Sequence, residues 1–224
     1  GLGDVYKRQG YRAVPSQNVV SQQVQPIRAV ETIPVKIWKK LNDTTYVFDF
    51  ARNMAGVTRI KVSGEEGTVV RLKHGERLHD NGRVNTSNID VYHRPVDNSD
   101  PFQTDILVLS GKGEDEFMAR FNYKGFRYVE VTSTNPLVLN ENNLTAYFVH
   151  SDVPQKGMIH TSNALINRLW WATNNAYLSN LMGYPTDCPQ REKNGWTGDG
   201  HFAIETALYN YDGITVYEKW LADH

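Results

Sequence analysis

The chain has 224 residues, enough for one large domain or two smaller ones, and its 40% hydrophobic and 22% charged residues are those of an ordinary globular protein. A formal net charge of −1 argues against a nucleic-acid or anionic-membrane partner, and no apolar run is long enough to span a bilayer. The single cysteine, Cys188, excludes an intramolecular disulfide and leaves the redox compartment open.

Residues Gly1 to Gln9, GLGDVYKRQ, lack the basic start and apolar run of an export signal. All nine match the in-frame translation of a transposase-based sequencing adapter. On that reading the gene was cut at Gly10 and its true start is missing. The alternative is a native tail, which codons unlike the adapter's would identify. Residues 10–34 are polar, contain Pro15, Pro26 and Pro34, and read as a linker or the last edge of another domain.

From Val35 to about Phe148 the pattern is that of strands. TTYVFDF, VTRIKVSG, GTVVRLKHG, DILVLSG, MARFNYKGFRYVEV and LTAYFVH alternate apolar and polar residues and are rich in Val, Ile, Tyr and Phe. SGEEG, HDNG, GKGED and NYKG supply the turns between them. Short strands punctuated in this way predict an antiparallel β-sandwich over 35–150, and the lack of an interleaved helical repeat argues against a parallel α/β fold.

The character changes near Ser151. Thr161 or Ser162 is placed to cap a helix in which Leu165, Leu169, Ala172 and Ala176 recur at helical spacing, with Ile166, Trp170 and Tyr177 on an adjoining stripe. Gly183 and Pro185 stop it after about Met182. A second helix is predicted from near Asp199 to Tyr211, and a third from about Ile214 to the last residue, His224. Three helices with a wide apolar face cannot close a core alone, so the sequence is expected to be truncated at this end as well.

Between the first two helices lies YPTDCPQREKNGWTGDG, residues 184–200, which gathers Asp187, Arg191, Glu192, Trp196 and Asp199. Cleavage of a glycosidic bond needs one carboxylic acid to protonate the leaving oxygen and a second group to activate or replace water. Neighbouring carboxylates and burial can keep the acid protonated near neutral pH, and an indole offers a face to the apolar side of a sugar. A loop with three acids is more commonly a solvated connection, and spacing alone is suggestive of catalysis without deciding it.

DCPQRE followed by GWTGD resembles the signature of bacterial α-L-rhamnosidases, inverting glycoside hydrolases with an (α/α)6-barrel catalytic domain. FDFARNMAGVTRIKVSG, LKHGERLHDNGRV and FNYKGFRYVEV resemble that family's preceding β-sandwich, and HSDVPQKGMIHTSNALINRLWWAT resembles the lead-in to the first barrel helix. The resemblance runs in order from about Pro26 to His224. It implies a fold of an antiparallel β-sandwich (35–150) followed by the first helices of an (α/α)6 barrel (151–224).

The resemblance also implies roles. Glu192 matches the general acid; Asp187 and Asp199 match carboxylates that bind rhamnose hydroxyls; Trp196 matches the aromatic wall, and Arg191 a hydrogen-bond donor to sugar or carboxylate. Many members carry two acids after the arginine and one residue more before GWTGD; here Lys193 follows Glu192, and it is expected to point away from it. The family's general base is a glutamate farther downstream, so no base is nominated here and the 224-residue stretch is expected to be inactive alone. Glu205, inside a predicted helix, reads as structural. His201 is a further candidate for substrate contact, weighed evenly against a surface or packing histidine.

The expected partner is a rhamnose-containing carbohydrate from plant glycosides or pectin-like polymers, with no cofactor and no metal. Such an enzyme fits the periplasm or the cell exterior, and the sequence carries no mark of oligomeric state. Cys188 reads as a structural thiol, His74 and Glu76 as interdomain hydrogen-bonding groups, Asp80-Asn81-Gly82 as a turn, Trp170 and Trp171 as core and interface packing, and Arg127 as a salt-bridge or interface residue. The competing reading is a non-catalytic carbohydrate-binding or scaffolding β-sandwich, which would not require Asp187, Glu192, Trp196 and Asp199 in one loop.

Overall fold

The structure, a computed structural model, describes residues 20–90 and 102–224. The adapter match at Gly1–Gln9 and the first part of the expected linker lie outside the described residues. The strands are β1 (Ile27–Pro34), β2 (Ile37–Asn42), β3 (Thr45–Ser63), β4 (Val69–Gly75), β5 (Arg77–Leu78), β6 (Val84–Asn85), β7 (Thr104–Val108), β8 (Glu114–Met118), β9 (Lys124–Ser133) and β10 (Leu144–Ser151). Three helices follow: α1 (Ala164–Ser179), α2 (Thr197–Asn210) and α3 (Ile214–Ala222).

Eight strands form one antiparallel sheet in the order β1-β10-β3-β9-β4-β7, with β2 and β8 also paired to β3. Side chains from both margins, Ile33 of β1 and Leu107 of β7, belong to one buried cluster with Phe48, Phe126, Leu72 and Phe148. A flat sheet would hold its margins some five strand spacings of about 4.8 Å apart. The sheet is therefore curled on itself, and the predicted β-sandwich is realised as two lobes of one sheet.

The curl is set within β3, which fuses two stretches that read as separate strands in the sequence. Thr45–Asp49 pairs with β2 and β9, Met54–Gly56 pairs again with β9, and the stretch from Gly56 onward pairs with β10 and then β8. Between them Ala51 takes a left-handed backbone (φ 57°), and the β3–β9 register shifts from Asp49 to Met54. An inserted irregularity of this kind bends a strand and increases its twist. Asp49 holds the bend: its carboxylate accepts the Ala51 N–H at 2.6 Å and both Arg127 donors at 2.8 Å. The Arg127 guanidinium and the Ala51 amide keep the Asp49 carboxyl below the usual carboxylate range against the opposing effect of burial, which is the largest single influence.

Other readings are corrected. Ile27–Pro34, expected within a linker or the last edge of another domain, forms β1 of this sheet and pairs with β10 from Ile27↔Ser151 to Pro34↔Thr145. MARFNYKGFRYVEV divides into the end of β8 and the start of β9, because only their flanking residues find ladder partners. His74 is fully buried within the sheet and not between domains; its ring nitrogens meet Thr58 Oγ1 (2.9 Å) and the Gln103 carbonyl (3.2 Å). The Asp80-Asn81-Gly82 turn joins β5 to β6, with Gly82 N–H donating to the His79 carbonyl at 2.8 Å.

The α1 cap is Asn163, whose Oδ1 accepts from Leu165 N–H (2.9 Å) and Ile166 N–H (3.4 Å), while the Thr161 hydroxyl supports Asn163. The helix ends at Ser179. Its predicted apolar stripe points outward, with Leu165 and Leu169 exposed; the buried side is Asn174, Tyr177 and Ser179. The reason is that α2 and α3 pack on the Tyr177 side, in a second cluster with Leu181, Ala207, Tyr211, Val216 and Tyr217. Leu178 touches both clusters and joins sheet to helices. Trp171 is likewise half open, with the Arg52 guanidinium 5.4 Å from its ring centroid, and Trp170 donates to Asn210 Oδ1 at 3.1 Å.

Candidate active site

The loop between α1 and α2 is sewn together by its own polar groups. Thr186 N–H and hydroxyl donate to the Asn180 carbonyl at 2.7 and 3.1 Å, anchoring the loop to the end of α1. Asp187 then closes it: its N–H donates to the Asn194 carbonyl (3.0 Å), and its Oδ1 accepts the Asn194 N–H (3.0 Å). Inside this ring the Cys188 thiol donates to Asp187 Oδ2 (2.9 Å) and its sulfur accepts the Glu192 N–H (3.3 Å). Burial, and then the hydrogen bond to the Asp187 carboxylate, push the Cys188 thiol up, which disfavours the thiolate that a nucleophile needs.

Glu192 carries a half-buried carboxylate with both oxygens held. Arg191 pairs with Oε1 at 2.7 Å, and the Trp196 indole N–H donates to Oε2 at 2.8 Å. Trp196 then provides the cap position of α2, whose first turn contains Asp199. Asp187 and Asp199 line a common cavity of 310 Å³, together with Asn180, Tyr177, Phe202 and Thr206. Hydroxyl-bearing ligands suit such a wall, because two carboxylates and an amide accept and donate around an apolar floor.

The structure thus brings the sequence candidates together in two groups. Asp187 and Asp199 share the cavity, whereas Arg191, Glu192 and Trp196 form an adjacent cluster outside its lining. His201 is exposed, its ring 5.6 Å from that of Phe202, and does not line the cavity. The aromatic residues bordering the cavity are Tyr177 and Phe202, and Trp196 is not among its lining. Sequence reading missed Phe202, although its place three residues after Asp199 puts both on one helix face. Among the described residues no group of three or more His, Cys, Asp or Glu side chains is arranged to hold a metal ion.

The sheet forms the floor of the loop. Lys193 Nζ donates to the Tyr123 carbonyl at 2.6 Å, lies 4.6 Å from the Tyr123 ring centroid, and stands 3.4 Å from Asn122 Oδ1. Gly125, at the start of β9, is pressed against Pro189 and Gln190. Under it Gln103 donates to the Gly125 carbonyl at 2.8 Å, beside a buried ion pair between Lys124 and Asp105.

Residues 39–150 match the family described as bacterial alpha-L-rhamnosidase concanavalin-like domain, and residues 154–224 match the bacterial alpha-L-rhamnosidase six-hairpin glycosidase domain. An alpha-L-rhamnosidase of Streptomyces avermitilis is 33% identical over 211 residues, covering 94% of this chain and 19% of that protein. One from Formosa agariphila is 30% identical, covering 92% and 21%. Among solved structures, alpha-L-rhamnosidase from Dictyoglumus thermophilum is 37% identical with a TM-score of 0.80, over 89% of this chain and 22% of that one. The S. avermitilis enzyme complexed with L-rhamnose is 32% identical with a TM-score of 0.80, over 92% and 19%. The chain spans about a fifth of the length of the curated relatives it matches.

Proposed function

The chain belongs to the bacterial α-L-rhamnosidase family, and from that premise we propose that the protein carrying it hydrolyses terminal α-L-rhamnosyl linkages of plant glycosides or polysaccharides with inversion. The observation that carries this reading is the match to both family domains in order, with the acid loop inside the second. It favours a hydrolase over a non-catalytic carbohydrate-binding sandwich. Asp187 and Asp199, on one cavity wall, accept hydrogen bonds from rhamnose hydroxyls, and Phe202 faces an apolar side of the ring. Glu192 delivers the proton to the leaving oxygen. Arg191 and the Trp196 indole each take one lone pair on one of its two oxygens, and the second lone pair on each leaves room for the proton and the leaving oxygen.

In an inverting enzyme the acid and base stand about 6.5–9.5 Å apart with a water between them. The base is proposed to come from the part of the relatives' length that this chain does not span. The 224 residues alone would then release no rhamnose. The test is rhamnose release from an alkyl α-L-rhamnoside, whose basic leaving oxygen needs protonation, by the complete protein and by Glu192→Gln. The substitution should lower kcat by roughly 10²–10⁴-fold for a poor leaving group. A folded wild type without turnover refutes the hydrolase reading, and undiminished turnover in the variant refutes only the acid assignment. Proton NMR of the first-formed sugar reads the stereochemistry: β-rhamnose signifies inversion, α-rhamnose retention.

A further inference from the structure

Lys193 stands next to the proposed acid, at a position where the family resemblance leads one to expect a second carboxylate. Its side chain leaves the loop and reaches the sheet, where it makes the ammonium–carbonyl bond to Tyr123 and lies over the same residue's ring. Its backbone is left-handed (φ 55°), a conformation that costs a non-glycine residue free energy and persists only when surrounding contacts demand it. Those contacts are present: Lys193 N–H donates to the Cys188 carbonyl at 3.2 Å, between the Glu192 N–H on Cys188 Sγ and the Asn194 N–H on Asp187 Oδ1. Three successive amides thus face the inside of the loop while the lysine side chain is fixed outside it.

We propose that Lys193 is a positioning residue that pins the Glu192 segment to the start of β9, so that the β-sandwich domain sets the place of the acid. This deepens the hydrolase reading and rests on it for its catalytic consequence, but the pin itself has a readout of its own. The ammonium group serves one carbonyl, one amide oxygen and one aromatic face, a set that a cation satisfies and a carboxylate cannot. Arginine can reproduce it; methionine keeps much of the packing and loses the charge and the donors.

The experiment compares wild type, Lys193→Met and Lys193→Arg in the complete protein by hydrogen–deuterium exchange of peptides spanning 187–196, alongside kcat and KM on an alkyl α-L-rhamnoside, whose leaving oxygen needs the acid. Lys193→Met should speed exchange at 192–194 at least tenfold while peptides from β9 and β10 keep their protection. Its kcat should fall about tenfold with KM within twofold, because ground-state sugar contacts are made by other residues. Lys193→Arg should restore both. Unchanged exchange in Lys193→Met overturns the pin, as does a loss that arginine fails to rescue. If Lys193→Met unfolds as a whole, Tyr123→Leu, which removes the ring and keeps the carbonyl, must raise exchange at 192–194 by itself or the proposal falls. A wild type without turnover would sink the hydrolase reading and leave the exchange result to decide the pin.

Discussion

Gly125→Ala tests how tightly the sheet seats the acid loop. A Cβ at this position would lie 2.8 Å from both the Cβ and the backbone N of Gln190, and 2.9 Å from the carbonyl carbon of Pro189. Ordinary contact begins at 3.4 Å, so the two surfaces must part by the difference, 3.4 − 2.8 = 0.6 Å, or more. Two of the opposing atoms are backbone, and no rotamer change relieves them. The sheet side is firm: Gly125 pairs with Ala55 of β3, its carbonyl is bound by Gln103, and the Lys124–Asp105 pair lies next to it. The loop must therefore yield. Overpacking of this kind costs about 1–3 kcal/mol, which urea denaturation would register. A displacement of this order at a catalytic group lowers turnover by roughly 10–100-fold, measurable as rhamnose release. Gly198→Ala is the control, since nothing lies within 4 Å of a Cβ there and it sits in α2; it should gain up to about 1 kcal/mol. If Gly125→Ala leaves stability within about 0.5 kcal/mol and turnover intact, the seat is not where the structure places it.

Two further outcomes follow from buried charge. Burial holds His74 neutral, with its pKa pushed down to about 4 from 6.5, so the unfolded chain takes up a proton first as pH falls. That contribution is present above pH 6.5 and is lost on descending towards pH 4; 2.5 pH units correspond to about 3 kcal/mol, and His74→Gln should flatten the urea-derived stability curve over this window by that amount. Lys124→Met strands the buried Asp105 carboxylate and should cost about 3–5 kcal/mol, of which an added Asp105→Asn should recover at least half; equal losses in the single and double variants would remove the ion pair as the cause.

Alternation and turn chemistry were enough to place β3, β4, β7, β9 and β10, since apolar residues such as Phe48, Leu72, Val131 and Ala146 do face one core. They could not show that β3 runs through from Thr45 to Ser63, because its continuity depends on a left-handed Ala51 held by Asp49 and Arg127 from another strand. Helical periodicity located α1 but not its orientation. Leu165 and Leu169 have the right spacing and the wrong surroundings, which only the packing of α2 and α3 against Tyr177 decides. In the site, residue type was legible and partnership was not. Nothing in the sequence assigns the Trp196 indole to Glu192, the Cys188 thiol to Asp187, or Lys193 to a carbonyl seventy residues away.

Asp187 shows why that partnership matters, because it has two duties that can be separated. Its oxygens close the loop, Oδ1 on Asn194 N–H and Oδ2 on the Cys188 thiol, and its charge faces the cavity shared with Asp199. An asparagine can keep the first duty: its carbonyl oxygen accepts from Asn194, and its NH₂ turns to the sulfur, a weak acceptor. It cannot keep the second. Asp187→Asn should therefore preserve amide protection at Asn194 and cost no more than about 1 kcal/mol, while weakening rhamnose binding as read by KM or by product inhibition. Asp187→Ala removes both acceptors and should lose protection and binding together. If Asp187→Asn exposes Asn194 to exchange as fully as Asp187→Ala does, the charge and not the hydrogen bonds holds the loop closed, and the two duties are one.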